Sequence, residues 1–189
     1  MPNVYVLLTR SHTLLSQIIH VVTGDTYTHV SIAYDDELKT LCSFARRNPH
    51  FPLPAGLVSE DLFNGYFEMN RYIPCTLLML PLSVEVHEKV RKAISEMLRE
   101  QKLYHYDLNG LVRCLLGIES KRKRCYFCSM FVAEILQRSG AINGLEKPSL
   151  MKPQDFMGIK ELSCVYHGRL SGLMHSTFGQ IISERCNND

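Results

Sequence analysis

Residues 29 to 45, HVSIAYDDELKTLCSFA, place the tightest constraint on the fold. His29, Ser31 and Ala33 fall on one side of an extended chain and Val30, Ile32 and Tyr34 on the other, the two-residue period of a strand. An acidic turn, Asp35-Asp36-Glu37, leads into KTLCSFA, which resumes as a second short strand, so the stretch predicts an antiparallel hairpin. With the turn centred near Asp36, His29 lies opposite Ser43.

The elements around the hairpin follow from composition and period. NVYVLLT (3 to 9) is β-branched and apolar and predicts a strand. SHTLLSQIIHVVTG predicts a helix with Leu14, Leu15, Ile18, Ile19 and Val22 on one face, Ser11 or Thr13 as cap and Gly24 as stop. From 46 to 70, three prolines and scattered aromatics without clear periodicity predict a long loop folded over the body, the kind of segment that serves as a lid. CTLLMLPL (75 to 82) predicts a buried strand, and VEVHEKVRKAISEMLREQ (84 to 101) an amphipathic helix on Val86, Val90, Ile94 and Leu98. YDLNGLVRCLLGI predicts a helix capped at Asp107 or Asn109. A strand around LSCVYHG and a tail with apolar Leu170, Leu173, Phe178 and Ile181 close the chain. At 189 residues and 46% apolar, with no repeat or linker, residues 1 to 189 predict one α+β domain.

The formal charge is +2, so no global attraction to nucleic acid or membrane is expected. Lys121-Arg122-Lys123-Arg124 is the local exception; it reads as a solvated loop, or as a source of positive potential for the thiol that follows. No apolar run is long enough to span a bilayer and the N-terminus lacks the pattern of an export signal, so a cytoplasmic protein is expected. Seven cysteines at positions 42, 75, 114, 125, 128, 164 and 186, without framework spacing, then read as free thiols.

CYFCSMFVAEILQRSG (125 to 140) sets two of them three apart at the mouth of a helix pattern. A structural zinc needs a second close ligand pair, and no CxxC, CxxH or HxxxH supplies it. A thioredoxin-like couple belongs after a first strand, and this pair comes late. No metal and no cofactor are therefore expected. Cys42, Cys75, Cys114 and Cys164 sit in apolar patterns and read as core sulfurs. Cys128 differs, because Phe131, Val132, Ile135 and Leu136 form the inward face of its helix and place it in the first turn. Free N–H groups and the positive dipole end there can hold a thiolate or an oxyanion. His29, heading a strand beside small Ser31 and Ala33, is the best-placed base; the other histidines fall at helix ends, among helix charges or in turns.

TGDTYTHVSIAYD followed later by YFCSMFVAEIL resembles the circularly permuted papain-fold group, the NlpC-like cysteine peptidases and amidases with lecithin-retinol acyltransferase as a relative. In that group the histidine strand precedes the cysteine helix. LLTRSHTLLSQIIHVVTG and SLMKPQDFMGIKELSCVYHGRL resemble its opening and closing segments. The resemblance implies a permuted papain-like α+β fold, a small antiparallel sheet packed against the cysteine helix. It implies Cys128 as nucleophile and His29 as base, with a third polar residue on the next strand orienting the ring. The hairpin puts Ser43 in that place, where the group usually has glutamate or histidine; Glu60 or Asp61 from the long loop are alternatives. Tyr126 and Ser129 would flank the oxyanion region, and Arg46 would reach an acidic, partly apolar substrate. The implied activity is cleavage or transfer at an amide or ester of a peptide-like or lipid-like small substrate through a thioester. A non-catalytic binding domain on the same scaffold is the competing expectation.

Overall fold

The computed structural model describes residues 1–10, 14–47, 55–145 and 147–176. Ser11 and Thr13, His50, Phe178, Ile181 and Cys186 lie outside them, as do the side chains of Leu14, Leu15, Ile18 and Arg46.

In chain order the elements are β1 (Asn3–Thr9), α1 (Leu14–Thr23), β2 (His29–Ala33), β3 (Leu41–Arg46), β4 (Ala55–Glu60), α2 (Tyr66–Met69), β5 (Pro74–Pro81) and α3 (Val84–Arg99). They continue with β6 (His105–Tyr106), α4 (Leu108–Leu115), β7 (Cys125–Tyr126), α5 (Cys128–Arg138), β8 (Ser163–Arg169) and α6 (Leu170–His175). Six strands form one sheet in the order β4-β3-β2-β1-β5-β8, every neighbouring pair antiparallel, while β6 and β7 form a short parallel pair. The expected α+β class with an antiparallel sheet is what the chain adopts.

β1 lies inside the sheet and is covered on both sides, which explains its continuous apolar run. Val4, Val6 and Leu8 join Val30, Ile32, Cys42, Phe44 and the α5 residues Phe131, Val132 and Leu136 in the larger core. Tyr5 and Leu7 join Ala33, Leu41, Leu77, Phe67, Leu170 and Leu173 on the opposite face. A third cluster of Ile19, Leu111, Cys114, Phe127 and Met130 binds α1 and α4 to the first turns of α5. α5 stops where Gly140 takes φ 75, the left-handed position that releases the chain after a helix.

Two expectations need correction. The β2–β3 hairpin pairs Ile32 with Cys42, so Ser31, not His29, sits across from Ser43, and His29 falls beside Ala45. The turn is centred one residue later than composition indicated. The Asp35 carboxylate accepts from the N–H groups of Lys39 and Thr40 at 2.9 and 3.2 Å, and buried Leu38 takes φ 52, a conformation leucine seldom adopts. The expected loop from 46 to 70 contains β4, which pairs with β3 from Leu41↔Glu60 to Arg46↔Ala55, and α2 with buried Phe67. β4 is an edge strand of six residues, too short to show a period after the three prolines that precede it.

Asp107 organises the segment leading to α5. Its buried carboxylate caps α4 through Gly110 N–H at 2.9 Å, takes the Ser120 hydroxyl at 3.4 Å and pairs with Arg122 Nη1 at 2.9 Å. A side chain at 110 would collide with it, which accounts for that glycine. Asp107→Ala should lower unfolding free energy by about 2 kcal/mol, from a lost cap and lost charge-assisted bonds, measured by urea denaturation.

Candidate functional site

Cys128 is the first residue of α5, which has no side-chain cap at Phe127. Its first-turn N–H groups therefore face whatever occupies the mouth of the helix. The occupant is its own sulfur. The backbone N–H groups of Val30, Ser129 and Cys128, with the Ser129 hydroxyl, all favour the thiolate, but burial outweighs them and pushes the thiol up to about 11. The residue is only 5% exposed. Burial thus favours the protonated thiol even though backbone donors surround the sulfur. The Ser129 hydroxyl is buried, and among the described residues its interaction is with this sulfur.

His29 opens β2 one residue before the Val30 amide that reaches the sulfur. Its Nε2 is 3.4 Å from Ser31 Oγ, on the same side of the strand. Val30 and Ile32 face α5, so alternation carries His29 and Ser31 to the other side. The ring and the sulfur share one end of β2, and a direct pair requires the imidazole to swing around the end of the strand.

Hydroxyls lie beside the ring. Thr9 is its partner on β1, and Ser31 and Ser43 follow across the sheet. Ser43 Oγ and Thr9 Oγ1 are fully buried and make no hydrogen bond among the described residues. Ser43 thus belongs to the histidine's row, one pair removed from its expected place. Glu60 pairs with Leu41, four residues along β3 from Ala45 and a strand further out, roughly 16 Å from the His29 position. Asp61 is occupied by the turn after β4, accepting from Phe63 N–H at 2.8 Å and Asn64 Nδ2 at 2.9 Å.

Tyr126 turns away from the sulfur. Its ring lies 5.3 Å from Phe44 and 6.2 Å from Tyr104, and its hydroxyl donates to Glu134 at 3.3 Å, in a groove of ≈390 Å³ between α3 and α5. The aromatic near Cys128 is Tyr106 on β6: its phenol is raised by burial and then by the sulfur itself. No sequence signal marks it, because β6 is two residues long and is placed by distant partners, β7 and β4. Arg46 is the last residue of β3.

Sequence reasoning also left out a polar group anchored on β8. His167 Nδ1 is 2.8 Å from Thr76 Oγ1 and 3.3 Å from the Tyr27 hydroxyl, and those two oxygens are 2.6 Å apart. Tyr27 N–H donates to Gln154 Oε1 at 3.3 Å, so this group anchors the approach to β2 two residues before His29. His167 itself is exposed, on an edge strand rather than in the expected turn; the pattern of β8 could have located it. Among the described residues, no three or more His, Cys, Asp or Glu side chains gather closely enough to hold a metal ion.

No protein-family model matches this chain, and no curated protein sequence does. Among solved structures, it is similar to the crystal structure of the metalloprotein yiiX from Escherichia coli O157:H7, described as DUF1105. The likeness covers 88% of this chain and 97% of that one, with a TM-score of 0.56 and 15% sequence identity. At that identity the likeness is one of fold, extending over nearly the whole of both chains.

Proposed function

We propose that the chain is a thiol-dependent hydrolase or acyltransferase on a permuted papain-like scaffold, acting on an amide or ester bond. The observation that carries the reading is the Cys128 sulfur at the mouth of α5, served by its own helix N–H groups and by the amide next to His29. In the reaction His29 swings from Ser31 and takes the thiol proton as the sulfur attacks a carbonyl carbon. The carbonyl electrons move to the oxygen, which the N–H groups and Ser129 receive. The imidazolium returns the proton to the departing amine or alcohol, leaving a thioester. Water, deprotonated by the same ring, or another acceptor then releases the acyl group and restores the thiol.

The non-catalytic scaffold is favoured by one observation, the high thiol pKa. Acylation separates the two readings. The protein is incubated with 4-nitrophenyl acetate at pH 7.5, quenched in acid and mapped by mass spectrometry. The hydrolase reading expects acetyl on Cys128 ahead of Cys42, Cys75 and Cys114, whose thiols burial raises to about 12, 12 and 11. His29→Ala should slow that labelling by about 10² or more, the usual share of a general base. Cys128 acetylated no faster than those core thiols, or only after chelator treatment, replaces the reading with a binding scaffold or a metal-held thiol.

A further inference from the structure

The face beside the helix mouth carries an apolar stripe that no part of the described chain covers. On α4, Leu108, Val112 and Leu116 recur every fourth residue and stand open to solvent, Leu116 at 68% exposure, while Leu111 and Cys114 on the adjoining strip face inward. α1 shares a core cluster with α4 through Ile19 and Leu111, and it leaves Val21 and Val22 81% and 63% exposed. Ile118, just past α4, is also open. Six large apolar side chains on α1, on α4 and just past it stand open to solvent, a surface that water disfavours.

The basic run unexplained by the fold borders this stripe. A cavity of ≈590 Å³ brings Val112 together with Asn109, Arg113, Ser120, Lys121 and Arg122. Lys123 and Arg124 continue the exposed run. Between 104 and 125 five lysines and arginines face two carboxylates, and Asp107 is buried under Arg122. Glu119 is shared between Lys121 at 3.9 Å and Lys147 at 3.1 Å. Apolar side chains flanked by lysine and arginine match the layering of an acidic bilayer surface, with acyl chains below and anionic headgroups above. No helix among the described residues is long and apolar enough to cross a membrane, so the fit is to a surface.

We infer that the α1–α4 face, with Arg113 and the 121–124 loop, docks on membranes containing anionic lipid. The occupant is the bilayer surface itself, with phosphate-bearing headgroups against the basic loop and the α4 stripe in the outer acyl region. Because the third core cluster joins this face to Phe127 and Met130, docking sets the mouth of α5 beside the lipid. That geometry favours lipid-like over peptide-like acyl donors. The substrate preference rests on the proposed thiol chemistry; the docking does not.

Vesicle co-sedimentation of the whole chain tests it, using phosphatidylcholine alone or with 30% phosphatidylserine (about the anionic share that gives acidic surfaces their potential). The expected result is binding to the acidic vesicles only, weakened at least tenfold by raising salt to 0.5 M and by Lys121→Glu/Lys123→Glu. Val112→Asp/Leu116→Asp should abolish it, with circular dichroism confirming the fold; the lysine pair, away from packed positions, keeps the test decisive if that double variant unfolds. Absence of acidic-vesicle binding, or binding indifferent to both variants, overturns the inference. Sedimentation of the protein as a dimer that Val112→Asp/Leu116→Asp dissociates, without vesicle binding, overturns it in favour of a second copy. Acetylation of Cys128 is measured separately, so failure of docking and failure of the thiol chemistry are told apart.

Discussion

Cys128→Ala should bring aryl-ester turnover and protein acetylation at this position to background, a loss of about 10³-fold or more. The alanine chain keeps the N–H groups at the mouth of α5, and an oxyanion hole without a nucleophile retains little rate. The fold should survive. The sulfur is one contributor to a core shared with Val30, Phe131 and Val132, and removing a single buried heavy atom costs about 1 kcal/mol. Cys128→Ser is the sharper control, because its hydroxyl can accept from the Val30 and Ser129 amides that now face sulfur, while serine is a far weaker nucleophile without a base. Both variants folded and both inactive places the chemistry at the sulfur. Both as active as the parent removes Cys128 from it, and with it the hydrolase reading.

Much of the fold was legible because its signals are local. α3 begins at Ser83, whose hydroxyl accepts from Val86 N–H at 3.3 Å, and its buried Val90 and Ile94 follow the apolar stripe read from sequence. Asp107, one of the two caps the sequence offered, caps α4, and Cys128 opens α5. What escaped depends on contacts between distant segments. The β2–β3 register turned on Leu38, whose left-handed conformation is imposed by burial and by the Asp35 carboxylate, neither visible in a Leu-Lys pair. β4 became a strand because β3 offered it a partner.

The candidate site was legible as residue types and only partly as geometry. Cys128 and His29 lie at one end of β2, at a helix start and a strand start. The side on which His29 leaves its strand is set by alternation from Val30, which must face α5 to complete the core. The state of the sulfur is likewise a tertiary property. A helix mouth lowers a thiol pKa in isolation, but here Val30, Phe127 and the residues of two clusters close over it, and desolvation wins.

The same desolvation should make the chain fragile in alkali. Raising pH from 8 to 11 under reducing conditions should cost several kcal/mol of stability and unfold the protein between about pH 10 and 11. In the unfolded chain thiols ionise near 9.0, whereas burial holds Cys42 and Cys75 to about 12 and Cys114 and Cys128 to about 11. Below pH 8 both states keep these protons and stability is at its full value. Between about 9 and 11 the unfolded state releases them and the folded state does not, so the unfolded state binds fewer protons and stability falls as pH rises. Each such group contributes at most about 1.4 kcal/mol per pH unit, so four acting together approach about 5 kcal/mol per unit, comparable to the whole stability of a domain. Tyr5 and Tyr106, raised in the same direction by burial, add to the slope at the upper end. Urea midpoints taken at half-unit steps with a phosphine reductant measure the effect. Cys75→Ala, which removes a thiol raised by burial alone, should lower the slope by about one proton whatever it does to the midpoint at pH 7. A midpoint that holds steady to pH 11 would mean that the buried thiols ionise in place, and that the core around α5 admits water freely enough to solvate a thiolate at Cys128.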